Sequence, residues 1–523
     1  MSTVASLVHS ARCQGVADLL RRTALRLPDK IAVRAADTAW SYREFHSLSL
    51  RVAQGFADLE LELGDRVAVI ARNSPIFACL RYALAARGLV LVPINSMLGA
   101  EEIAFILRDS GAKVLCVDRE FASVGRQATA KATDVASFVW MHDEAAPFQD
   151  TKSFRELANA VPGPAATVDV RSLLQILYTS GTESLPKGVM LSHEAVISQY
   201  VSCVIDGEIS ASDVMLHAMP LFHCAQLDVF LGPSIYVGGE NIITSDTRPE
   251  SLLRLLDTHR VTSFFAPPTV WISLLRSPLF DFSDLSSLRK GYYGASIMPV
   301  AVLAEMQARL PRTRLWNFYG QTEIAPLATV LKPEDQLRKA GSAGRPALNV
   351  ETRIVDEEGR DVEVGETGEI VHRSPHLLSG YFHNDERTTE AFIGGWFHSG
   401  DLARIDSEGY IYIVDRKKDV IKTGGENVSS REVEETIYRL GEVAEAAVVG
   451  VAHPVWIEAV TAVVVIKDGA ALSEHEVITH CRASMAGFKT PKRVLFVESL
   501  PKSPSGKLLK RELRDWLKQF APF

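Results

Sequence analysis

The chain has 523 residues, 47% of them hydrophobic, which is enough for large cores and too long for one ordinary domain. Its 56 basic and 64 acidic residues are scattered and leave a net charge of -8, so nothing draws it to nucleic acid or to an anionic membrane, and small-molecule partners are expected. The six cysteines, Cys13, Cys79, Cys116, Cys203, Cys224 and Cys481, form no C-x-x-C pair, which argues against a zinc site or disulfide framework and suits a reducing, cytoplasmic setting.

The opening MSTVASLVHSARCQG lacks the apolar centre of a signal, and no stretch approaches the roughly 20 apolar residues of a membrane span. Over the first 130 residues, apolar strand-like runs (Val67 to Ile70, Val90 to Val92, Val114 to Val117) alternate with amphipathic helical stretches at Ser74 to Arg87 and Ala100 to Asp109. That alternation predicts an α/β layered sheet. Residues 131–170, richer in Ala, Asp and Pro and poorly periodic, read as a surface excursion. The α/β pattern returns from 171 to about 345, with strands expected at Leu173 to Tyr178, Val214 to Met219, Ser263 to Pro267 and Leu315 to Tyr319.

After Gly344 the pattern changes to hairpins. Glu351 to Val355 and Glu369 to His372 flank the turn Asp356-Glu357-Glu358-Gly359, and Ala403 to Ile405 pairs with Tyr410 to Val414 across Asp406-Ser407-Glu408-Gly409. Beyond Asp415 the boxes Ser429-x-x-Glu432 and Ser473-x-x-Glu476 open helices between apolar strands at Ala446 to Val451, Ala459 to Ile466 and Val494 to Val497. The expected organisation is an N-terminal domain over 1–415, in subunits of about 1–170, 171–345 and 346–415, and a separate C-terminal domain over 416–523.

The segment YTSGTESLPKGVMLSH, residues 178–193, reads as a strand end, a flexible loop, a short strand and a helix start. Its Ser, Thr and Gly residues offer hydroxyl and backbone N–H donors to a polyphosphate, and Lys187 adds a point charge. It is not a Walker A loop, since Pro186 stands where that motif needs Gly and Gly188 where it needs a hydroxyl.

Further on stand Tyr319-Gly320-Gln321-Thr322-Glu323, Ser399-Gly400-Asp401, Asp415-Arg416-Lys417-Lys418-Asp419 with Thr423-Gly424-Gly425-Glu426-Asn427, and Pro501-Lys502-Ser503-Pro504-Ser505-Gly506-Lys507. In that order these motifs resemble the adenylate-forming superfamily of acyl-CoA synthetases, peptide-synthetase adenylation domains and luciferases, over essentially the whole chain from about residue 16. The fatty-acyl-CoA synthetases are the nearest in pattern. The resemblance implies an α/β fold: a large N-terminal domain of two αβ-layered sheets plus a small β-barrel, and a smaller, mobile α+β C-terminal domain.

It also implies roles. Thr179, Ser180, Gly181, Thr182 and Lys187 would hold the β- and γ-phosphates of ATP, Glu323 would ligate Mg²⁺, and Thr322 would bond the α-phosphate. Tyr319 would face adenine, Asp401 and Arg416 the ribose, and Lys507 would bridge the substrate carboxylate and the α-phosphate. Rotation about Lys418 would bring Gly424, Gly425 and Glu426 to the pantetheine channel of coenzyme A. In Pro220-Leu221-Phe222-His223, His223 replaces the aspartate that pairs with the amine in amino-acid-activating relatives, and would lie beside an acyl carboxylate. The acyl pocket would be shaped by Cys224, Ala225, Gln226, Val270, Gly294, Ala295 and Ser296, mostly small or neutral, which fits an apolar monocarboxylic acid.

Where the family loop usually reads Thr-Gly, this chain has Glu183-Ser184. A carboxylate about 6 Å from a phosphate charge is repelled by about 3 kcal/mol at an effective dielectric of about 20, so Glu183 is expected to turn outward. The function implied is an ATP-dependent acid:CoA ligase for a medium- or long-chain fatty acid. An aryl-acid CoA ligase and an acyl-AMP ligase that loads a carrier protein are the alternatives, and no insertion between Asp356 and Asp415 marks the latter. A catalytically dead nucleotide sensor is the non-enzyme reading, against which Lys507 and Glu323 both stand. Homodimerisation stays open.

Overall fold

The computed structural model describes residues 4, 8, 11–12, 14–36, 38–132, 134–142, 151–179, 186–296, 298–417, 419–423, 426–502 and 508–520. Local chemistry sets the helices where the sequence placed them. Ser74 caps Pro75–Arg87 by accepting the Phe77 N–H, Pro75 occupies the first turn where no amide donor is needed, and Gly88 closes the helix in the left-handed region. Ser473 and Glu476 form the complete capping box of Glu474–Ser484. Ser429 caps Ser430–Ile437, but Glu432 turns away to pair with Lys489 at 2.8 Å.

Two large sheets carry the first part of the chain. One runs Gly380–Tyr381, Lys187–Ser192, Leu173–Thr179, Val90–Pro93, Arg66–Ile70, Val114–Val117, Ser137–Trp140, Thr151–Ser153, and is parallel from Leu173–Thr179 onward. The other runs Arg345–Pro346, Thr329–Leu331, Arg314–Tyr319, Lys290–Gly294, Ser263–Phe265, Val214–His217, Glu240–Ile243, Ile31–Ala35, Thr38–Ser41. Both confirm the α/β class, and their central strands are apolar on both faces because helices cover both. Helices Val16–Arg26, Tyr42–Ala57, Pro75–Arg87 and His193–Asp206 lie in one core with Val67, Leu91 and Cys116 of the first sheet and Val33 and Ile243 of the second. Within that core Arg81 and Asp228 form a fully buried ion pair at 2.7 Å, with Gln175 donating to the second carboxylate oxygen at 2.7 Å.

The sheets depart from the expected order along the chain. Ile31–Ala35 and Thr38–Ser41 belong to the second sheet and Leu173–Thr179 and Lys187–Ser192 to the first, so the subunits do not separate at residue 170. Residues 131–170 are not merely a surface excursion either: Ser137–Trp140 pairs in parallel with Val114–Val117, and Phe138, Val139 and Trp140 are buried. Four residues inside a polar segment are too few to show a period.

In place of a closed barrel stands an open half-barrel sheet, Glu351–Val355, Gly368–Arg373, Trp396–Ile405 and Phe392–Ile393, with Ile411–Arg416 pairing on Trp396–Ile405. The two expected hairpins are both there, in registers Ile354↔Ile370 and Ile405↔Ile411. The C-terminal sheet is built on the antiparallel pair Val443–His453 and Ile457–Ile466, with Arg493–Phe496 parallel to the latter. Its alternate residues face two cores. Val448, Val460, Ala462 and Val464 meet Val433, Ile437, Val477 and Cys481, while Ala447, Val449 and Val463 meet Leu513 and Leu517 of the last helix. No helix among the described residues is long and apolar enough to cross a membrane.

Candidate active site

In open α/β sheets, ligands sit beyond the carboxyl ends of the strands. Leu173–Thr179 of the first sheet and Arg314–Tyr319 of the second end toward a common site, because the segments that follow them meet there. Lys187, which opens the strand antiparallel to Leu173–Thr179, places its ammonium 2.6 Å from Glu323 Oε1 and 2.9 Å from the Tyr381 hydroxyl. Tyr381 donates to the same Glu323 oxygen at 3.0 Å, and Lys187 Nζ lies 4.4 Å from the centre of its ring. Burial by itself would raise the Glu323 carboxyl, but the Lys187 ammonium and the hydrogen bonds outweigh it and hold the group below its usual range. Glu323 is therefore a buried, ionised carboxylate. Opposite Lys187 in the strand pair, the Thr179 hydroxyl is buried with no hydrogen-bond partner among the described residues, as suits a donor awaiting a ligand.

The Tyr319 to Glu323 segment joins this cluster to a second. At Gly320 a Cβ would stand 1.7 Å from the Pro326 carbonyl oxygen, so only glycine lets the chain fold back there. Tyr319 donates to Asp401 Oδ2 at 2.6 Å, Arg416 Nε stands 3.3 Å from Oδ1, and Gln321 donates to the Ser399 carbonyl at 3.3 Å. Burial, the Asp401 charge and this hydrogen bond push the Tyr319 phenol well above its ordinary value, so it stays a donor. Thr322 Oγ1 lies 3.5 Å from the buried Cys224 thiol, which burial pushes up to about 12 and keeps protonated. His223 is half-buried and accepts the Ala225 N–H on Nδ1 at 3.2 Å, which leaves the proton of the neutral ring on Nε2.

The structure thus brings Thr179, Lys187, Tyr319, Thr322, Glu323, Asp401 and Arg416 together, with Cys224 against Thr322 and His223 next to Cys224. The acyl-pocket set is less uniform. Gln226 does not serve as a free wall residue: its amide accepts from the Met219 N–H at 3.2 Å and bonds His217 at 2.7 Å, in a buried chain that continues to Asn241. A buried amide must satisfy both ends, and these ends are taken. Ala225 and Val270 are half-buried against the second sheet's core, Gly294 is the buried end of its strand, and Ala295 and Ser296 are exposed beyond it. Glu426 is exposed in the strand Glu426–Val428. Ser180, Gly181, Thr182, Glu183, Ser184, Lys418, Gly424, Gly425 and Lys507 lie outside the described residues.

Sequence reasoning missed Tyr381, the hydroxyl that touches both members of the Lys187–Glu323 pair. Its signal is faint, one aromatic in Ser379-Gly380-Tyr381-Phe382-His383, and only the pairing of Gly380–Tyr381 with Met190 and Val189 brings it to the site. Among the described residues no set of three or more His, Cys, Asp or Glu side chains converges as a metal centre. Glu323 alone is the donor set expected for Mg²⁺, which is held by one or two carboxylates together with substrate phosphates.

Two wound sheets and a half-barrel around these clusters, followed by a separate C-terminal sheet, define a nucleotide-using enzyme. The chain belongs to the AMP-binding enzyme family, which matches residues 20–382, with the AMP-binding enzyme C-terminal domain matching 432–507, and it is an acyl-CoA synthetase. It is 35% identical over 504 residues to a feruloyl-CoA synthase of an Amycolatopsis species, covering 96% of this chain and 99% of that one. It is also 35% identical over 482 residues to the long-chain-fatty-acid–CoA ligase FadD13 of Mycobacterium tuberculosis, covering 92% and 94%. ATP-bound MatB from Rhodopseudomonas palustris has the same fold, with a TM-score of 0.88 at 30% identity over 97% of this chain and 99% of that one.

Proposed function

We propose that the chain joins a largely apolar monocarboxylic acid to coenzyme A through an acyl-adenylate, with a medium- or long-chain fatty acid as the first substrate class. What carries the reading is the pair of clusters at the ends of one segment: Lys187, Glu323 and Thr179 for phosphate, Tyr319, Asp401 and Arg416 for the nucleoside. A substrate carboxylate oxygen attacks the α-phosphorus, the bond to pyrophosphate breaks, and an acyl-AMP mixed anhydride results. The coenzyme A thiol then attacks the acyl carbon, AMP leaves, and the thiol proton passes to solvent. Both reactants of the first step are anionic, so Lys187 and Lys507 serve to neutralise charge where it builds up. Mg²⁺, bound at Glu323, would add to that neutralisation.

His223 would lie beside the acyl carboxylate, with Cys224, Ala225, Val270, Gly294, Ala295 and Ser296 shaping the acyl pocket; they include no basic residue to await a second carboxylate. The division at 415/416, the pivot at Lys418 and the Gly424-Gly425-Glu426 channel belong to the same reading, as does a cytoplasmic location. An aryl acid is the second substrate class, favoured by the likeness to a feruloyl-CoA synthase. A panel of fatty and aryl acids with ATP, Mg²⁺ and coenzyme A, read by AMP formation, tests the proposal. AMP release that depends on acid and coenzyme A is expected; AMP release in no case, or only with a carrier protein as acceptor, would sink it.

A further inference from the structure

The turn that carries Asp401 is a bulge, and the side chain that fills it is Glu369. Glu369 pairs with Leu402 but Val371 pairs with His398, so residues 399–401 hold more chain than the strand facing them and are pushed out of the ladder. Gly400 takes a φ of +73° there, a conformation open to glycine. An amide expelled from a ladder in a half-buried turn needs another acceptor. Glu369 Oε1 accepts the Gly400 N–H at 3.0 Å, while Ser399 Oγ donates to the Ile370 carbonyl at 2.6 Å and accepts the Asp401 N–H at 3.1 Å.

The other Glu369 oxygen, Oε2, faces an imidazole and a lysine ammonium. His398 Nδ1 stands 3.2 Å from it and Lys417 Nζ 3.5 Å. The Lys417 N–H in turn donates to the Gly400 carbonyl at 3.0 Å, and Arg416 pairs with Asp401 across the strands. One carboxylate therefore holds the turn that presents Asp401 and also the residue immediately before Lys418. Its two arms differ. The Glu369 side chain is 14% exposed and its bond to Gly400 is short, whereas the Lys417 side chain is 59% exposed and its contact is long.

We propose that Glu369 is a positioning residue that couples the nucleotide-facing turn at Asp401 to the orientation of the C-terminal segment through Lys417. The inference rests on the ligase reading above, in which the chain pivots at Lys418. Rotation there strains the exposed Lys417 arm first, while the buried Gly400 arm keeps the turn in place. Nucleotide that steadies Asp401 thereby steadies the anchor from which the pivot turns, so the two half-reactions sense Glu369 differently.

Three variants of the full chain separate the arms. Glu369→Ala removes both, and the KM for ATP in acid-dependent pyrophosphate release should rise about tenfold with the KM for acid unchanged. Glu369→Gln keeps an acceptor for the Gly400 N–H, so its KM for ATP should stay within about twofold of wild type. Because it loses the charge facing Lys417, its ratio of thioester formation to pyrophosphate release should shift about threefold, as in Lys417→Met. A side chain that only packs the strands predicts something else: a lower melting temperature in Glu369→Ala with both KM values and the ratio as in wild type. That result overturns the proposal, and so does an equal rise in both KM values. If wild type releases no pyrophosphate with any acid, the ligase reading fails instead. ATP binding followed by tryptophan fluorescence then judges the Gly400 arm: about tenfold weaker binding in Glu369→Ala supports it, and unchanged binding overturns it.

Discussion

At one end of the Tyr319 to Glu323 segment a buried carboxylate is already neutralised by a lysine; at the other, a buried carboxylate is held by a phenol and a half-exposed arginine. Glu323 has Lys187 at 2.6 Å, and Asp401 has Tyr319 at 2.6 Å with Arg416 at 3.3 Å. A triphosphate that recruits Lys187 takes the cation away from Glu323, and a buried charge left unpaired costs about 3–5 kcal/mol. In the proposed reading the phosphate end would thus be an exchange of ions, in which anion and cation arrive together. In the proposed reading the ribose end trades the Tyr319 hydroxyl for other neutral hydroxyl donors while Arg416 stays with Asp401, so the charge changes little. On that reading the first end would decide whether a nucleotide is accepted with its cation, and the second, set beforehand, where the nucleoside lies.

Substitutions can break that contrast or sharpen it. The largest expected effect is at Glu323→Gln, where acid-dependent pyrophosphate release should fall about 100- to 1,000-fold through loss of the charge organised for the transition state. A loss of only a few-fold would mean that Lys187 works without it. Asp401→Ala comes next: the KM for ATP should rise about 10- to 100-fold while the KM for acid holds, and parallel increases in both would argue that the turn, not the nucleoside contact, had been lost. Tyr381→Phe frees the Lys187–Glu323 pair from its shared hydroxyl and should cost about fivefold in the same assay, against about twofold for Tyr319→Phe, because Asp401 keeps Arg416. Equal effects at the two tyrosines would erase the difference between the ends.

The smallest signal is in stability. Glu323 titrates below its ordinary value of 4.5 in the folded chain, so its contribution is full above that value and is lost as the pH falls through the lower, folded one. The melting-temperature gap between wild type and Glu323→Gln should hold from neutrality to about pH 5 and close below it. A gap unchanged at about pH 3 would locate the stabilisation elsewhere.

Elements set by local chemistry were readable in advance. Ser74-Pro75 and Gly88 bracket a helix by rules that need no partner, and the hairpin turns are equally self-contained. The family was legible because short, ordered motifs hold their meaning wherever the chain takes them. What escaped the sequence depends on distant pairing. Tyr381 reaches the site only through a strand nearly two hundred residues upstream, and the bulge at 399–401 exists only relative to the register of Glu369 and Val371. Gln226 stands three residues after His223 and reads as pocket lining, yet His217 and Met219 claim its amide. The membership of Ile31–Ala35 and Leu173–Thr179 in opposite sheets is likewise invisible from either stretch alone.

That exchange of strands between sheets bears on how the chain is made. Synthesis from the N-terminus delivers Ile31–Ala35 before its parallel neighbour Glu240–Ile243, and Val90–Pro93 before Leu173–Thr179. Neither sheet is complete when residue 170 leaves the ribosome, and the waiting edge, Val90-Leu91-Val92-Pro93, is wholly apolar. An uncovered apolar edge is a template for pairing with another chain. A fragment ending near residue 170 should therefore aggregate where the full chain does not, and the nascent protein has to keep that edge shielded until the ribosome has added Thr179.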